Sequence, residues 1–171
     1  MMISPYRELC TIRVTFSTMG NHDHVLYAKY PPSPPCSCRT CSYFCTRPGW
    51  WLVLEARLAL ENGHAKDMML EFSPDASFGV LTPAFKGNGG YFALESYAHN
   101  GCTFLEEGRC SIHRLPYQPM ECRFCHHTRL GRGLQCHADI AKDWNTSKGR
   151  RLVMRWLGMM ELKVPAGYLG R

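Results

Sequence analysis

The feature that most constrains this chain is its ten cysteines in 171 residues. Thiols in a reducing compartment are more often metal ligands or catalytic groups than disulfides. Nine of them form two groups that are far apart in the chain. The early group is Cys36, Cys38, Cys41 and Cys45, and the later one is Cys102, Cys110, Cys122, Cys125 and Cys136, with Cys10 standing apart. The number and grouping of the cysteines therefore indicate metal binding.

The sequence also predicts a cytoplasmic protein without a membrane partner. A signal peptide would need an apolar core where this chain has Arg7 and Glu8. No stretch approaches the roughly 18 uninterrupted apolar residues that cross a bilayer. With 45% apolar and 20% charged residues, the composition fits one globular domain with arms and disfavours a fibre, a coiled coil or a disordered chain.

A mild basic excess raises the question of an acidic partner. Lys and Arg number 20 against 14 Asp and Glu, which gives a net charge of +6 with neutral histidine. Much of this charge lies late in the chain, at Arg129, Arg132, Lys148, Arg150, Arg151 and Arg155. These residues can attract nucleic acid or an acidic protein. Alternatively, they form a helix face that is simply exposed to solvent.

Composition shifts divide the chain into three parts. Residues 1–30 form an N-terminal arm with a strand at Ile12, Val14 and Phe16, which alternate with polar residues. Residues 31–145 form a cysteine-cluster metal-binding domain, and residues 146–171 form a C-terminal helix and tail. The proline-rich run at 31–35 is predicted to be an extended connector that leads to the first cysteine group.

A helix is predicted over 50–62, because good helix formers fill this run. Pro48 suits a first helical turn, and Gly63 suits the left-handed position after a helix end. Helical spacing gives an inward face of Trp51, Leu54 and Leu58 and a more exposed face of Glu55, Arg57 and Glu61.

The other predicted elements are shorter, except for a final helix. A short helix over 66–72 and strands over 78–81 and 91–94 are predicted, with a glycine-rich turn at 87–90. The last helix is predicted over 147–161, capped by Asn145 or Thr146, with an apolar stripe of Leu152, Val153, Trp156 and Leu157. The predicted fold is a small α+β, loop-rich, metal-organised single domain with a few helices and short strands.

Two C-x2-C steps, Cys38/Cys41 and Cys122/Cys125, have the spacing of metal-ligand pairs. Zinc and iron-sulfur clusters both accept thiolates in a tetrahedral arrangement, so the ligand types leave both open. The order C-x2-C-x3-C in the first group is the reverse of that expected in a radical enzyme that cleaves S-adenosylmethionine. A histidine can complete a site, and the candidates are His113, His126, His127 and His137.

Several of these pieces together resemble the YkgJ-like cysteine-cluster proteins, a family described as a zinc- or iron-chelating domain. The pieces are Cys38-Arg-Thr-Cys41, Cys45-x-Arg47-Pro48-Gly49, Cys102-Thr-Phe-Leu105, Gly108-Arg109-Cys110-Ser-Ile-His113 and Cys122-Arg123. The resemblance implies the metal ligands Cys38, Cys41, Cys45, Cys102, Cys110 and Cys122. Members usually have a further cysteine where this chain has Phe44, so either Cys36 or Cys125 supplies a substitute.

Three functions remain open from the sequence. The first is a small iron-sulfur protein with a 4Fe-4S cluster, acting in electron transfer or as an accessory subunit of a redox enzyme. The second is a structural zinc module that binds protein or RNA through its basic last helix and aromatic residues such as Tyr43 and Tyr117. The third is an enzyme with an open metal position near Cys125, His126 and His127. No catalytic residue is assigned.

Overall fold

The computed structural model describes residues 20–166 and 168, without the side chains of residues 21 and 22. The predicted strand at Ile12, Val14 and Phe16 and the isolated Cys10 lie outside the described residues. The proline-rich segment has no helix or strand over 31–37, as its composition predicts. The three-part division of the chain stays a prediction.

The described residues form a small mixed α+β domain, which confirms the predicted fold class. The helices are α1 (Asn21–Lys29), α2 (Arg39–Phe44), α3 (Val53–Glu61), α4 (Met120–Phe124), α5 (Gly133–Trp144) and α6 (Ser147–Met159). The strands are β1 (Met68–Phe72), β2 (Gly79–Pro83), β3 (Leu105–Glu106) and β4 (Arg109–Cys110). They form two antiparallel sheets, β1 with β2 and β3 with β4. Short 3-10 helices cover His64–Asp67, Glu95–Asn100 and His127–Arg129.

The helix predicted over 50–62 is present as α3, with two corrections. Pro48 lies outside the helix, because α3 begins only at Val53, whose backbone N–H donates to Asp143 at 2.8 Å. Glu55 was predicted to be exposed but is fully buried. The predicted inward residues Trp51, Leu54 and Leu58 are all buried. Gly63 follows the helix at φ +90°, the left-handed conformation that favours glycine.

The final helix is confirmed as α6. Its N-cap is Thr146, one of the two predicted residues, whose side chain accepts a hydrogen bond from the backbone N–H of Gly149 at 3.2 Å. The predicted apolar stripe Leu152, Val153, Trp156 and Leu157 is buried. The cap and the stripe are both local properties of the sequence, which is why both were predictable.

The helix predicted over 66–72 is wrong, because Met68–Phe72 is strand β1, paired from Met68↔Pro83 to Phe72↔Gly79. Met68, Met69 and Leu70 are all buried, and a short, continuously buried run does not distinguish a strand from a helix. The strand predicted at 78–81 overlaps β2. Residues 91–94 form only an isolated bridge, Leu70↔Phe92.

Three fully buried tryptophans mark the core between the helices and β1–β2. The indole N–H of Trp144 donates to the carbonyl of Trp51 at 2.7 Å, and that of Trp156 donates to Ala65 at 2.9 Å. The indole of Trp51 donates to the carbonyl of Tyr117 at 2.6 Å. Each ring therefore buries its apolar surface without leaving its polar group unpaired.

The buried carboxylate of Glu55 joins three helices. It accepts hydrogen bonds from the backbone N–H of Leu52 at 3.0 Å, before α3, and of Met120 at 2.9 Å, at the start of α4. It also accepts a hydrogen bond from the hydroxyl of Tyr27 on α1 at 2.7 Å and pairs with the guanidinium of Arg123 on α4. The carboxylate thus fixes α4, which carries Cys122, against the rest of the fold.

Among the described residues, no helix combines the length and the apolar composition needed to cross a bilayer.

We expect Glu55→Ala to lower the free energy of unfolding by about 3–5 kcal/mol, because it leaves the Arg123 guanidinium buried without its counterion. The matched control is Glu61→Ala at the exposed end of the same helix. Glu61 lies 3.8 Å from Arg57, and this surface pair is expected to contribute about 0.5 kcal/mol or less. Urea unfolding measures both, and equal effects would contradict the assigned role of Glu55.

Candidate metal centre

The first pair of cysteines is positioned by the start of α2. Cys38 is the N-cap residue, and its Sγ accepts a hydrogen bond from the backbone N–H of Cys41 at 3.5 Å. One helical turn then places the side chain of Cys41 beside that of Cys38. The C-x2-C step therefore brings two sulfurs together by local geometry alone.

Cys36 and His127 complete the group around this pair. One ligand atom from each of Cys36, Cys38, Cys41 and His127 lies within 4.8 Å of all the others. The Nδ1 atom of His127 is 3.5 Å from the Sγ atom of each of the three cysteines. Cys41 is buried, whereas Cys36 and His127 are exposed. The four residues form a group at the protein surface that can hold a metal ion.

His127 reaches the cysteines because of the turn that follows α4. Its backbone N–H donates to the Sγ of Cys41 at 3.4 Å. The neighbouring His126 is occupied locally, with its Nδ1 atom 2.8 Å from the hydroxyl oxygen of Thr128. The other candidate histidines have different partners. The Nδ1 atom of His113 lies 3.3 Å from Nε2 of Gln118, and the Nδ1 atom of His137 lies 3.0 Å from Oε1 of Glu121. Of the four predicted histidines, His127 joins the compact group.

The protonation of the Cys38 and Cys41 thiols depends on local hydrogen bonds and burial. The backbone N–H of Cys41 lowers the pKa of the Cys38 thiol, because it stabilises the thiolate. Burial raises the pKa of Cys41 to about 11. A bound cation would favour the thiolate form of both side chains.

Five of the six remaining cysteines of the predicted ligand set line a cavity of about 960 Å³. They are Cys45, Cys102, Cys110, Cys122 and Cys125. Cys36 and Cys41 of the compact group line the same cavity. The β3–β4 hairpin carries Cys110, which pairs with Leu105 across the sheet, and Cys102 bridges to Phe85. Within the described part of the chain, these five do not form a second group as compact as the first.

Cys122 is enclosed by a close approach of the chain. A Cβ atom at Gly49 would lie 2.6 Å from the Sγ of Cys122, so only glycine fits at that position. Gly49 follows the first cysteine group, and Cys122 belongs to the second. The two halves of the chain therefore approach each other closely at the cavity wall, because position 49 has no side chain.

Burial keeps the cavity thiols protonated in the absence of a metal. It raises the pKa of Cys102 and of Cys125 to about 11 and that of Cys122 well above its usual value. It also raises the pKa values of Cys45 and Cys110. Bringing a cation into the cavity would thus release protons from these sulfurs.

Cys136 does not line the cavity and lies on the buried side of α5. It belongs to the hydrophobic core with no exposed surface, and burial raises its pKa to about 12. Its role as a ligand stays a prediction.

A polar wall of the same cavity was not predicted from the sequence. Glu121 accepts a hydrogen bond from the backbone N–H of Trp50 at 2.7 Å and lies 3.0 Å from Nδ1 of His137. The indole N–H of Trp50 donates to Glu71 at 3.1 Å, and the indole lies 3.8 Å from the His137 ring. These four residues come from separate segments, so no local motif could identify them.

No protein-family model matches this chain, and neither a curated protein nor a solved structure shows significant similarity to it. The resemblance to the YkgJ-like proteins stays a prediction. What the structure itself supports is the group of three cysteines and one histidine, which is compatible with metal binding.

We expect iodoacetamide to modify Cys38 much faster than Cys136 in metal-free protein at neutral pH. Cys38 is exposed and has a lowered pKa, whereas Cys136 is inaccessible and has a raised pKa. Peptide mass spectrometry over a time course measures both rates in one sample. Equal rates would contradict the surface position of this site.

Proposed function

We propose that the protein binds zinc and that the residues Cys36, Cys38, Cys41 and His127 hold a single ion. The observation that supports this is the set of three Sγ–Nδ1 distances, each 3.5 Å. A tetrahedral site with Zn–S bonds of about 2.3 Å and a Zn–N bond of about 2.0 Å has a sulfur–nitrogen edge of about 3.5 Å. The ligand atoms are therefore already spaced for one ion of this kind.

The compactness of this group argues against a 4Fe-4S cluster there, because its four ligand atoms all lie within 4.8 Å of one another. In such a cluster each thiolate binds a different iron, so the ligand sulfurs lie farther apart than around one ion. The sequence favoured a cluster, with zinc as the alternative. For these four residues the ligand spacing favours the alternative.

A site with four protein ligands has no open position for substrate, which is typical of structural zinc. The ion would join Cys41 to His127, 86 residues later in the chain. Because site formation and ordering of the chain share one free energy, structural zinc can contribute about 10 kcal/mol or more. The ion would thereby hold the start of α2 against the turn after α4.

A second metal centre in the cavity is the other candidate function. Cys45, Cys102, Cys110 and Cys122 line one cavity but are less compact than the zinc group, which suits a larger cofactor. The resemblance to the YkgJ-like proteins favours these residues, with Cys125 as a substitute ligand. An iron-sulfur cluster there would support electron transfer or a role beside a redox enzyme.

The kind of macromolecule that this protein would bind depends on which of the two metal centres it has. A cluster carrier in the cytoplasm needs a redox protein as partner, whereas a zinc module would present exposed residues to protein or RNA. Tyr43, Arg151 and Arg155 are exposed and available for the second role. We propose the protein partner, since the basic residues alone do not identify nucleic acid.

We expect His127→Asn to weaken zinc binding by at least about 10–100-fold, because it removes one of four ligands. The matched control is His126→Asn, which changes the adjacent histidine but keeps an acceptor for the backbone N–H of Thr128. Competition with a chromogenic chelator measures both affinities. Equal affinities in the two variants, or wild-type protein without zinc, would contradict the proposed site.

The second centre is tested by measuring iron and acid-labile sulfide in protein purified without oxygen. If the cavity cysteines hold a cluster, iron and acid-labile sulfide are present, and Cys102→Ser removes both. Cys38→Ser is the control, since it changes the zinc group and leaves the cavity set intact. Protein without sulfide, or equal sulfide loss in the two variants, would contradict a cluster in the cavity.

A further inference from the structure

The proline-rich segment at residues 31–36, here named the strap, forms part of the outer wall of the cavity. Its residues Pro32, Ser33, Pro34, Pro35 and Cys36 line the cavity, and most of the strap is also exposed to solvent. Its prolines have no backbone N–H, so the strap has few groups with which to bind neighbouring chain. Its position therefore depends on a few attachment points.

One attachment point lies near the start of the strap. Ser33 donates its backbone N–H to the carbonyl of Arg123 at 2.8 Å. Its hydroxyl lies 2.9 Å from the same carbonyl and 3.2 Å from that of Cys125. Arg129 donates to the carbonyl of Pro31 at 2.7 Å. These bonds attach the strap to α4 and to the chain after it.

The other attachment point is the candidate metal site formed by Cys36, Cys38, Cys41 and His127. Cys36 ends the strap, and its Sγ lies 3.5 Å from Nδ1 of His127. A thiol is a weak hydrogen-bond partner, so this contact alone holds the strap end loosely. A metal–thiolate bond would replace it with a strong and directional link to the turn after α4.

We propose that metal binding by Cys36, Cys38, Cys41 and His127 fastens the strap across the cavity and thereby limits solvent access to it. This inference rests on the proposed zinc site and adds a regulatory role to it. With Cys36 bound, the stiff strap is held at both ends. With Cys36 released, the strap has lost its own metal bond and its end is tethered only through the chain to Cys38, so it can move away from the cavity and admit more solvent.

Tryptophan fluorescence gives a readout that does not require a metal in the cavity. Of the four tryptophans, Trp51, Trp144 and Trp156 have no exposed surface, whereas Trp50 is partly exposed and lines the cavity. Quenching by acrylamide therefore reports mainly on access to Trp50. The experiment uses full-length protein loaded with zinc and compares Cys36→Ser with Cys38→Ser.

Both variants remove one sulfur ligand from the same site, but only Cys36 belongs to the strap. Three ligands remain in each variant, and zinc is added until both have the same measured occupancy. We expect a severalfold larger Stern–Volmer quenching constant in Cys36→Ser than in wild type. The quenching constant of Cys38→Ser should stay close to that of wild type.

At equal zinc occupancy, the inference is overturned if the two variants show the same quenching, whether both rise or neither does. If zinc cannot be restored in either variant, the strap is released in both, and a quenching constant equal to that of zinc-loaded wild type in both variants overturns the inference. Failure of the proposed function gives a different result, namely wild-type protein that binds no zinc. Wild-type zinc binding with equal quenching in the variants removes the strap inference alone.

Discussion

The buried carboxylate of Glu55 is the interaction on which the arrangement of the cysteine groups depends. It collects donors from α1, α3 and α4, and its partner Arg123 lies next to Cys122. An unpaired carboxylate in this position would be costly, so an arrangement of the three helices that removed these donors would be destabilised. Because the turn that carries His127 follows α4 directly, the placement of the histidine depends on the same network.

The four residues of the candidate metal site come together where three chain segments meet. The strap brings Cys36, the start of α2 brings Cys38 and Cys41, and the turn after α4 brings His127. The strap is hydrogen-bonded to the carbonyls of Arg123 and Cys125, so the same backbone that leads to His127 also positions Cys36. The compact spacing of these four residues is therefore a property of the packed fold as well as of the residues themselves.

Much of the local structure was predictable, whereas positions that depend on distant contacts were not. The cap at Thr146 and the apolar stripe of α6 follow from neighbouring residues. Glu55 was predicted to be exposed from its charge, but Tyr27, Met120 and Arg123 pair with it from distant segments. The strand at Met68–Phe72 was predicted as a helix because both of its faces are covered by tertiary packing, which removes the alternating pattern.

The sequence by itself determined which cysteines are candidate metal ligands and that Cys38 pairs with Cys41, since a C-x2-C step at a helix start needs no distant contact. Tertiary structure decided that Cys36 and His127 complete this group, while Cys45 and Cys102 line the cavity without joining it. Ligands 86 residues apart meet only through the packing between them. Spacing along the chain carries no information about that distance in space.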